Sequence, residues 1–167
     1  MIDCGMAEIA NLAPTLRPIT DGDRFRVRRW LREPHVAQWF GSRGAAEAAV
    51  TLAEQSQTAL VRIIEHGGVA IGYAHALDIG DAQVPPGAWT ADVFIGVPEW
   101  RGRGLGAQAL ALLARDVFAT TLATGLNVRV AVRNEAAVRA IEKAGFKWRS
   151  VGEDALLGPC WLMVMER

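Results

Sequence analysis

A strand that runs through a glycine-rich loop into a helix limits the folds open to this chain. The apolar run Val93–Val97 predicts a buried strand, and the segment 104–121, rich in Ala and Leu, predicts a long helix. The first turn of a helix carries unpaired N–H groups and the positive end of the macrodipole, so it can hold a pyrophosphate. Glycines let the backbone approach such a ligand, and Arg101 and Arg103 add positive charge. The loop therefore predicts an anion site.

A glycine loop of this kind also occurs in simple turns and in dinucleotide-binding folds. A dinucleotide fingerprint usually stands early in its fold and has an acidic residue about 20 residues onward. Here the loop comes late, and a buried strand predicted over Asn127–Val132 and the pair Arg133-Asn134 follow it. The order of the elements therefore disfavours a dinucleotide fold.

The rest of the chain also divides into short strands and helices. Strands are predicted over Thr15–Ile19, Ala59–Glu65, Val69–Leu77, Trp89–Val97, Asn127–Val132 and Trp161–Met165. A first helix is predicted from Asp21, its N-cap, to Pro34, which ends or interrupts it. Further helices are predicted over Ala45–Gln57, over 104–121 and over Glu135–Ala144. Gly67 and Gly68 predict a tight hairpin turn, and the Gly- and Pro-rich segment 78–88 predicts a loop. The order of these elements predicts a βαβ unit within one α/β domain over 15–167. Residues 1–14 are predicted to form an irregular arm.

The composition narrows the classes of function. Eighteen Lys and Arg balance eighteen Asp and Glu among 167 residues, so the whole molecule has no field that favours nucleic acid or an anionic membrane. No apolar run approaches the roughly 20 residues that span a bilayer, and Cys4 and Cys160 form neither a disulfide framework nor a metal-ligand spacing. We expect a cytoplasmic protein with no nucleic acid, membrane or metal partner. The segment 67–100 lacks Lys and Arg, which fits either a solvated acidic surface or a site for a polycationic ligand.

The loop and the segments after it resemble the acetyl-CoA-binding half of the GNAT superfamily. The resemblance rests on Arg101-x-x-Gly104-x-Gly106, on Asn134 and on the run 142–146, Glu-Lys-Ala-Gly-Phe. It implies an α/β (α+β) GNAT fold: a mixed sheet of six to seven strands, about four flanking helices, and two strands that splay apart where acetyl-CoA binds. The residues that it assigns to the coenzyme are Ile95, Val97, Arg101, Gly102, Arg103, Gly104, Leu105, Gly106, Ala107 and Asn134. Asn134 also suits the N-cap of the helix that follows it, and the two roles can coexist.

Within the superfamily, the chain resembles the aminoglycoside 6′-N-acetyltransferases. Trp30-Leu31, the segment 34–41 (Pro-His-Val-x-x-Trp-Phe-Gly) and Asp92-x-x-Ile95-Gly96 carry this resemblance, and siderophore-lysine acetyltransferases share similar features. The aminoglycoside enzymes have a carboxylate at the place of Asp92, where the siderophore type tends to have histidine. A carboxylate there can accept a hydrogen bond from the attacking amine and take its proton. Asp92 is therefore the predicted catalytic base, and a structural carboxylate paired with an arginine is the alternative.

Further acceptor contacts and the partners follow from the same resemblance. The predicted substrate-binding residues are Trp39, which could stack on a sugar ring, and the carboxylates Asp78, Asp81, Asp92 and Asp154; His35 and His75 have weaker support. Ile141 stands where many relatives have a tyrosine that protonates the thiolate, so the general acid is open. The resemblance implies direct transfer of an acetyl group from acetyl-CoA to an aminoglycoside. It also implies that the enzyme is a homodimer. A small metabolite or siderophore-precursor amine as acceptor, and a non-catalytic coenzyme A sensor, are the alternatives.

Overall fold

The structure is a computed structural model that describes residues 12–80 and 82–167, with the backbone alone at Arg43. The strands are β1 (Thr15–Pro18), β2 (Ala59–His66), β3 (Val69–Leu77), β4 (Ala88–Ile95), β5 (Gly125–Ala131), β6 (Lys147–Asp154) and β7 (Gly158–Glu166). The helices are α1 (Asp21–Trp30), α2 (Pro34–Ala37), α3 (Arg43–Gln55), α4 (Leu105–Thr120) and α5 (Glu135–Lys143), with a 3₁₀ turn over Pro98–Trp100. In the part of the chain so described, no helix has the length and apolar character needed to cross a membrane.

The strands form one sheet in the order β1-β2-β3-β4-β5-β7-β6. Every neighbouring pair is antiparallel except β4 and β5, which are parallel and joined through α4. These two strands pair only over Ala88–Thr90 and Gly125–Asn127, and beyond those residues they separate. The predicted βαβ unit, the α/β class and the splayed strands are confirmed.

Two apolar clusters hold the helices against opposite faces of the sheet. On one face, α4 packs through Leu110 and Leu113 against the strands and α5. On the other face, Val27 and Trp30 of α1 pack with Tyr73 of β3, together with residues of α2 and α3. Because side chains alternate along a strand, β2, β3 and β4 each contribute to both clusters.

The predicted cap of α1 and the predicted role of Pro34 are wrong, and one strand was not predicted. Thr20, not Asp21, caps α1, since the Thr20 N–H and the Asp23 carboxylate form a capping box at 2.9 Å. Pro34 begins α2 instead of interrupting α1, because a helix tolerates proline in its first turn. The unpredicted strand is β6, an edge strand whose residues are nearly all exposed, so it lacks the alternation of buried and polar residues that marks a strand. The helices number five in the described part of the chain, where about four were expected.

Candidate active site

The gap between β4 and β5 joins the two faces of the sheet. Helix α4 begins beside the gap on one face, where Val93 and Ile95 of β4 pack with its cluster. Asp92 comes directly before Val93 in the strand, and successive side chains alternate between the faces, so the Asp92 side chain points to the opposite face, where 36 % of it is exposed. A ligand held at the start of α4 and a ligand beside Asp92 would therefore meet through the gap.

The glycine loop has a backbone that requires glycine at two positions. Gly102 has φ 70° and Gly104, the N-cap of α4, has φ 78°, both in the left-handed region. The side chains of Leu105 and Ala107 are buried, so they fix the helix to the sheet and leave only their backbone for a ligand. A Cβ added at Gly106 would lie 3.9 Å from Ile95 Cγ1, which places this turn of the helix against the separating end of β4.

The two arginines of the loop differ in what they contact. The Arg103 guanidinium lies 4.7 Å from the centroid of the Trp100 ring, and Arg103 Nε donates to the Glu99 carbonyl at 3.0 Å. Trp100 in turn packs against the buried ring of His66, with the centroids 4.6 Å apart. Arg101 is exposed and has no carboxylate within salt-bridge distance among residues 12–80 and 82–167. Arg101 is thus the loop cation that is free to move toward an anion.

A bulge ends the regular part of β4. The N–H groups of Gly96 and Val97 both donate to the Ile71 carbonyl, at 2.8 and 3.2 Å, which turns the strand away from β5. The Val97 carbonyl accepts from Trp100 N, and the Ile95 carbonyl lies 2.9 Å from His35 Nε2 of α2. Because these backbone groups already have partners, the half-buried side chains of Ile95 and Val97 are what a pantetheine arm could contact. The contact from His35 also holds α2 against the end of β4.

Asp92 faces a histidine and no arginine. His75 lies opposite Asp92 in the β3–β4 ladder, and His75 Nε2 is 3.6 Å from Asp92 Oδ2. No arginine or lysine of the described residues lies within 4.0 Å of Asp92, so the alternative of a carboxylate paired with arginine lacks its partner. Burial lowers the pKa of His75, and the charge of Asp92 opposes this effect only in part. His75 is therefore a neutral imidazole beside the carboxylate.

Trp39 follows α2, which packs on the Asp92 face of the sheet. It is half-buried, and the Arg133 guanidinium lies 5.4 Å from the centroid of its ring. The adjacent Phe40 meets Phe94 of β4 edge to face at 5.5 Å. Arg133 follows β5, so this contact bridges the two sides of the gap. This contact was not predictable from the sequence, because it joins residues 94 positions apart.

The other predicted acceptor residues make local contacts. Asp78 is exposed and accepts from Gly80 N at 3.0 Å, and Asp154 accepts from Leu156 N and Leu157 N in the turn between β6 and β7. Asp81 lies outside the described residues. The Asn134 side-chain oxygen accepts from Ala137 N at 3.2 Å, which confirms the N-cap and leaves its amide N–H₂ for a ligand.

No tyrosine replaces the missing general acid. Ile141 is buried in the cluster under α4 and α5. Tyr73, the only tyrosine, is fully buried on the other face of the sheet, and burial followed by the charges of Glu54 and Asp92 raises its pKa. A phenol with a raised pKa in that position is poorly suited to protonate a thiolate.

Comparison with known proteins identifies the family to which the chain is similar. The acetyltransferase (GNAT) domain family matches residues 20–153. The aminoglycoside N(6′)-acetyltransferases type 1 of Klebsiella pneumoniae and Serratia marcescens are each 28 % identical over 154 residues, which is 83 % of this chain and 76 % of theirs. Aminoglycoside acetyltransferase AAC(6′)-Ib in complex with coenzyme A has TM-score 0.79 at 25 % identity, covering 93 % of this chain and 95 % of that chain. The aminoglycoside N(6′)-acetyltransferase of Legionella pneumophila has TM-score 0.77 at 20 % identity, covering 93 % of each chain, and shares the fold.

Proposed function

The chain belongs to the GNAT acetyltransferase family, and we propose that it transfers the acetyl group of acetyl-coenzyme A to the 6′-amine of an aminoglycoside. Acetylation removes one positive charge from a drug that depends on charge to bind RNA, so the cellular result would be resistance. The relatives at 28 % identity, which are named for this activity, support the proposal. We place the reaction in the cytoplasm, and the homodimer implied by the family resemblance stays a prediction.

The observation that carries the proposal is the gap that connects α4 on one face of the sheet with Asp92 on the other. A transferase for two large substrates needs separate sites that share one reacting centre. The parallel pair of β4 and β5 ends after three residues, which leaves an opening at the level of Asp92 and Ile95. A thioester could enter from the α4 side and an amine from the Asp92 side.

On the coenzyme side, the first turn of α4 would bind the pyrophosphate. Gly102 and Gly104 allow the backbone N–H groups of that turn to approach it, and Arg101 can follow its charge. The side chains of Ile95 and Val97 would line the pantetheine arm, and the free amide of Asn134 can donate to it from the far side of the gap.

On the acceptor side, Asp92 would act as the general base. The neutral amine nitrogen attacks the thioester carbonyl carbon, the C–S bond breaks, and coenzyme A leaves as the thiolate while Asp92 takes the proton of the amine. Solvent protonates the thiolate, because Ile141 and the buried Tyr73 supply no acid. No covalent enzyme intermediate is required.

The aromatic and acidic residues around Asp92 would bind the rest of the acceptor. Asp78 and Asp154 are carboxylates that could pair with further ammonium groups, and Asp81 remains a predicted contact. Trp39 can stack on a sugar ring, but Arg133 lies on one face of its ring. An acceptor that stacks on that face must displace the guanidinium.

The test is an acetyl-coenzyme A assay that follows release of free thiol. The panel contains neomycin and paromomycin, which differ at the 6′ position in an amine and a hydroxyl, together with kanamycin, spermidine and lysine derivatives. We expect turnover of neomycin and kanamycin and none of paromomycin. Turnover of spermidine or lysine derivatives alone would assign a metabolite acceptor instead, and coenzyme binding without turnover on any amine would indicate a sensor.

The Asp92→Asn variant tests the general base, because asparagine has nearly the same shape as aspartate but cannot take the proton of the amine. We expect kcat/KM for neomycin to fall about 10²- to 10⁴-fold, because a positioned general base contributes a factor of that size. Coenzyme A affinity, measured by calorimetry, should stay within about twofold, since Asp92 lies on the other face of the sheet. A variant that keeps most of its turnover would rule out Asp92 as the base.

A further inference from the structure

His75 is a buried titratable group to which the proposed reaction gives no task. Its side chain is 4 % exposed, and its Nε2 faces Asp92 Oδ2 across the ladder of β3 and β4. Its Nδ1 is buried and has no hydrogen-bond partner within residues 12–80 and 82–167. This arrangement requires an explanation, because an unpartnered buried polar atom costs free energy, and the carboxylate that faces the ring is the predicted base.

We propose that His75 is a positioning residue for Asp92, and this inference rests on the proposed function. The imidazole holds the Asp92 side chain by Oδ2, so that Oδ1 stays directed to the acceptor amine. The separation of 3.6 Å is longer than a hydrogen bond, and it closes with a small movement of the Asp92 side chain. His75 touches neither the acceptor nor the coenzyme.

The protonation state of His75 fits positioning and not proton transfer. Burial lowers its pKa, so the ring is neutral near pH 7 and carries one proton. That proton is most stable on Nε2, where it faces a carboxylate that only accepts hydrogen bonds. With the proton on Nε2, the ring has no free site on the Asp92 side to take a second proton.

Among the residues that the structure describes, Asp92 is the charged group in contact with His75. From β4 it faces Asp92, and from its own strand Tyr73 meets its ring edge to face at 5.6 Å. The neighbour in β2 is the apolar Val61. Glu54 of α3 acts on this cluster only through Tyr73, whose pKa it raises together with burial and Asp92.

Three variants separate a positioning role from a merely structural one. His75→Leu removes the donor, His75→Gln keeps an N–H that does not titrate, and Tyr73→Phe is the matched control that alters a buried polar neighbour without touching Asp92. We expect His75→Leu to lower kcat about 10-fold with KM for the acceptor changed less than threefold, since misplacing a base lowers the rate more than binding. His75→Gln should recover to within about threefold of the wild type, and Tyr73→Phe should stay within about twofold.

A double variant gives a readout that packing alone would not change. The double variant Asp92→Asn/His75→Leu should be no slower than Asp92→Asn within about twofold, because His75 acts through Asp92. Losses that multiply in the double variant would overturn the positioning role.

A spectroscopic measurement separates this inference from the proposed function. Long-range ¹H–¹⁵N spectra of the His75 ring should show the neutral Nε2–H tautomer at pH 7 and above, with a changed Nε2 shift in Asp92→Asn. Turnover in the wild type combined with an Nδ1–H tautomer or a charged ring would overturn the inference alone. A wild-type protein that acetylates no amine would overturn the proposed function, and with it the role given to His75.

Discussion

At the scale of single residues, Gly96 shows how closely the bulge at the end of β4 is packed. A Cβ at this position would overlap Cγ and Cδ2 of Trp30. Trp30 is 2 % exposed and enclosed by α1 and the sheet, so its ring has no space into which to move. The bulge that opens the gap between β4 and β5 therefore depends on a residue without a side chain.

Gly96→Ala should destabilise the protein. We expect the free energy of unfolding to fall by about 1–3 kcal/mol, the usual effect of overpacking a core, and coenzyme A to bind more weakly as the end of β4 shifts. Gly44→Ala is the control, because a Cβ there meets nothing within 4 Å in α3 and should raise stability by up to about 1 kcal/mol. Urea unfolding of both variants checks this, and equal stability of Gly96→Ala and wild type would contradict the packing.

The residues of the site were predictable where one strand or one loop carried them. Asp92 is conspicuous in the sequence because strands disfavour aspartate, and Gly102 and Gly104 stand out as glycines of the predicted anion loop. His75 was not predictable as the neighbour of Asp92, since a loop over 78–87 separates β3 from β4 and leaves the register open. By contrast, the two-residue turn at Gly67 and Gly68 determines how β2 pairs with β3.

At the scale of elements, Asp23 ties α1 to the first two strands. Its carboxylate accepts from Arg17 at 2.6 Å and from Arg26 at 2.8 Å, and it closes the capping box with Thr20. Arg17 also pairs with Glu65 of β2 at 2.6 Å. The hydrogen bond from Arg17 holds the pKa of Asp23 far below its ordinary value, against the opposing effect of burial.

Asp23→Asn should therefore cost stability in a pH-dependent way. A lowered folded pKa means that the carboxylate contributes its full stability above the unfolded pKa of about 3.9 and loses it as the pH falls further. We expect the variant to be about 1–3 kcal/mol less stable at pH 7 and the difference to shrink below about pH 4. The exposed Asp21→Asn should change stability by less than about 0.5 kcal/mol. Thermal unfolding between pH 3 and 8 measures both, and a difference that grows in acid would contradict the ion pair.

Edge elements were the part of the fold that the sequence could not specify. The interior strands β2 to β5 are apolar enough to stand out, and their boundaries differ from the prediction by one or two residues. β6 is exposed on both faces and contains Lys147, Arg149, Glu153 and Asp154. Only pairing with β7 makes it a strand, and such long-range pairing leaves no local periodic signal.

At the scale of the whole molecule, the sheet is the single layer that both apolar clusters share. β7 lies within it, between β5 and β6, and its Cys160 pairs with Ala131 on one side and Gly152 on the other. Exposure of β7 therefore requires either that the edge strand β6 detaches or that the whole sheet comes apart. The Cys160 thiol is 3 % exposed, so its accessibility reports which of these events occurs.

Labelling of Cys160 should follow global unfolding. The thiolate is the reactive form, and burial raises the pKa of Cys160, aided by the charge of Asp154, so both shielding and a small thiolate fraction slow the native reaction. In a Cys4→Ser background at pH 8, we expect a disulfide reagent to react at least about 10³-fold more slowly than with the unfolded chain. The logarithm of the rate should rise with urea at the slope of equilibrium unfolding, because exposure of Cys160 then requires the whole sheet to come apart. A rate insensitive to low urea would show instead that β6 detaches alone, as an edge held by one partner strand.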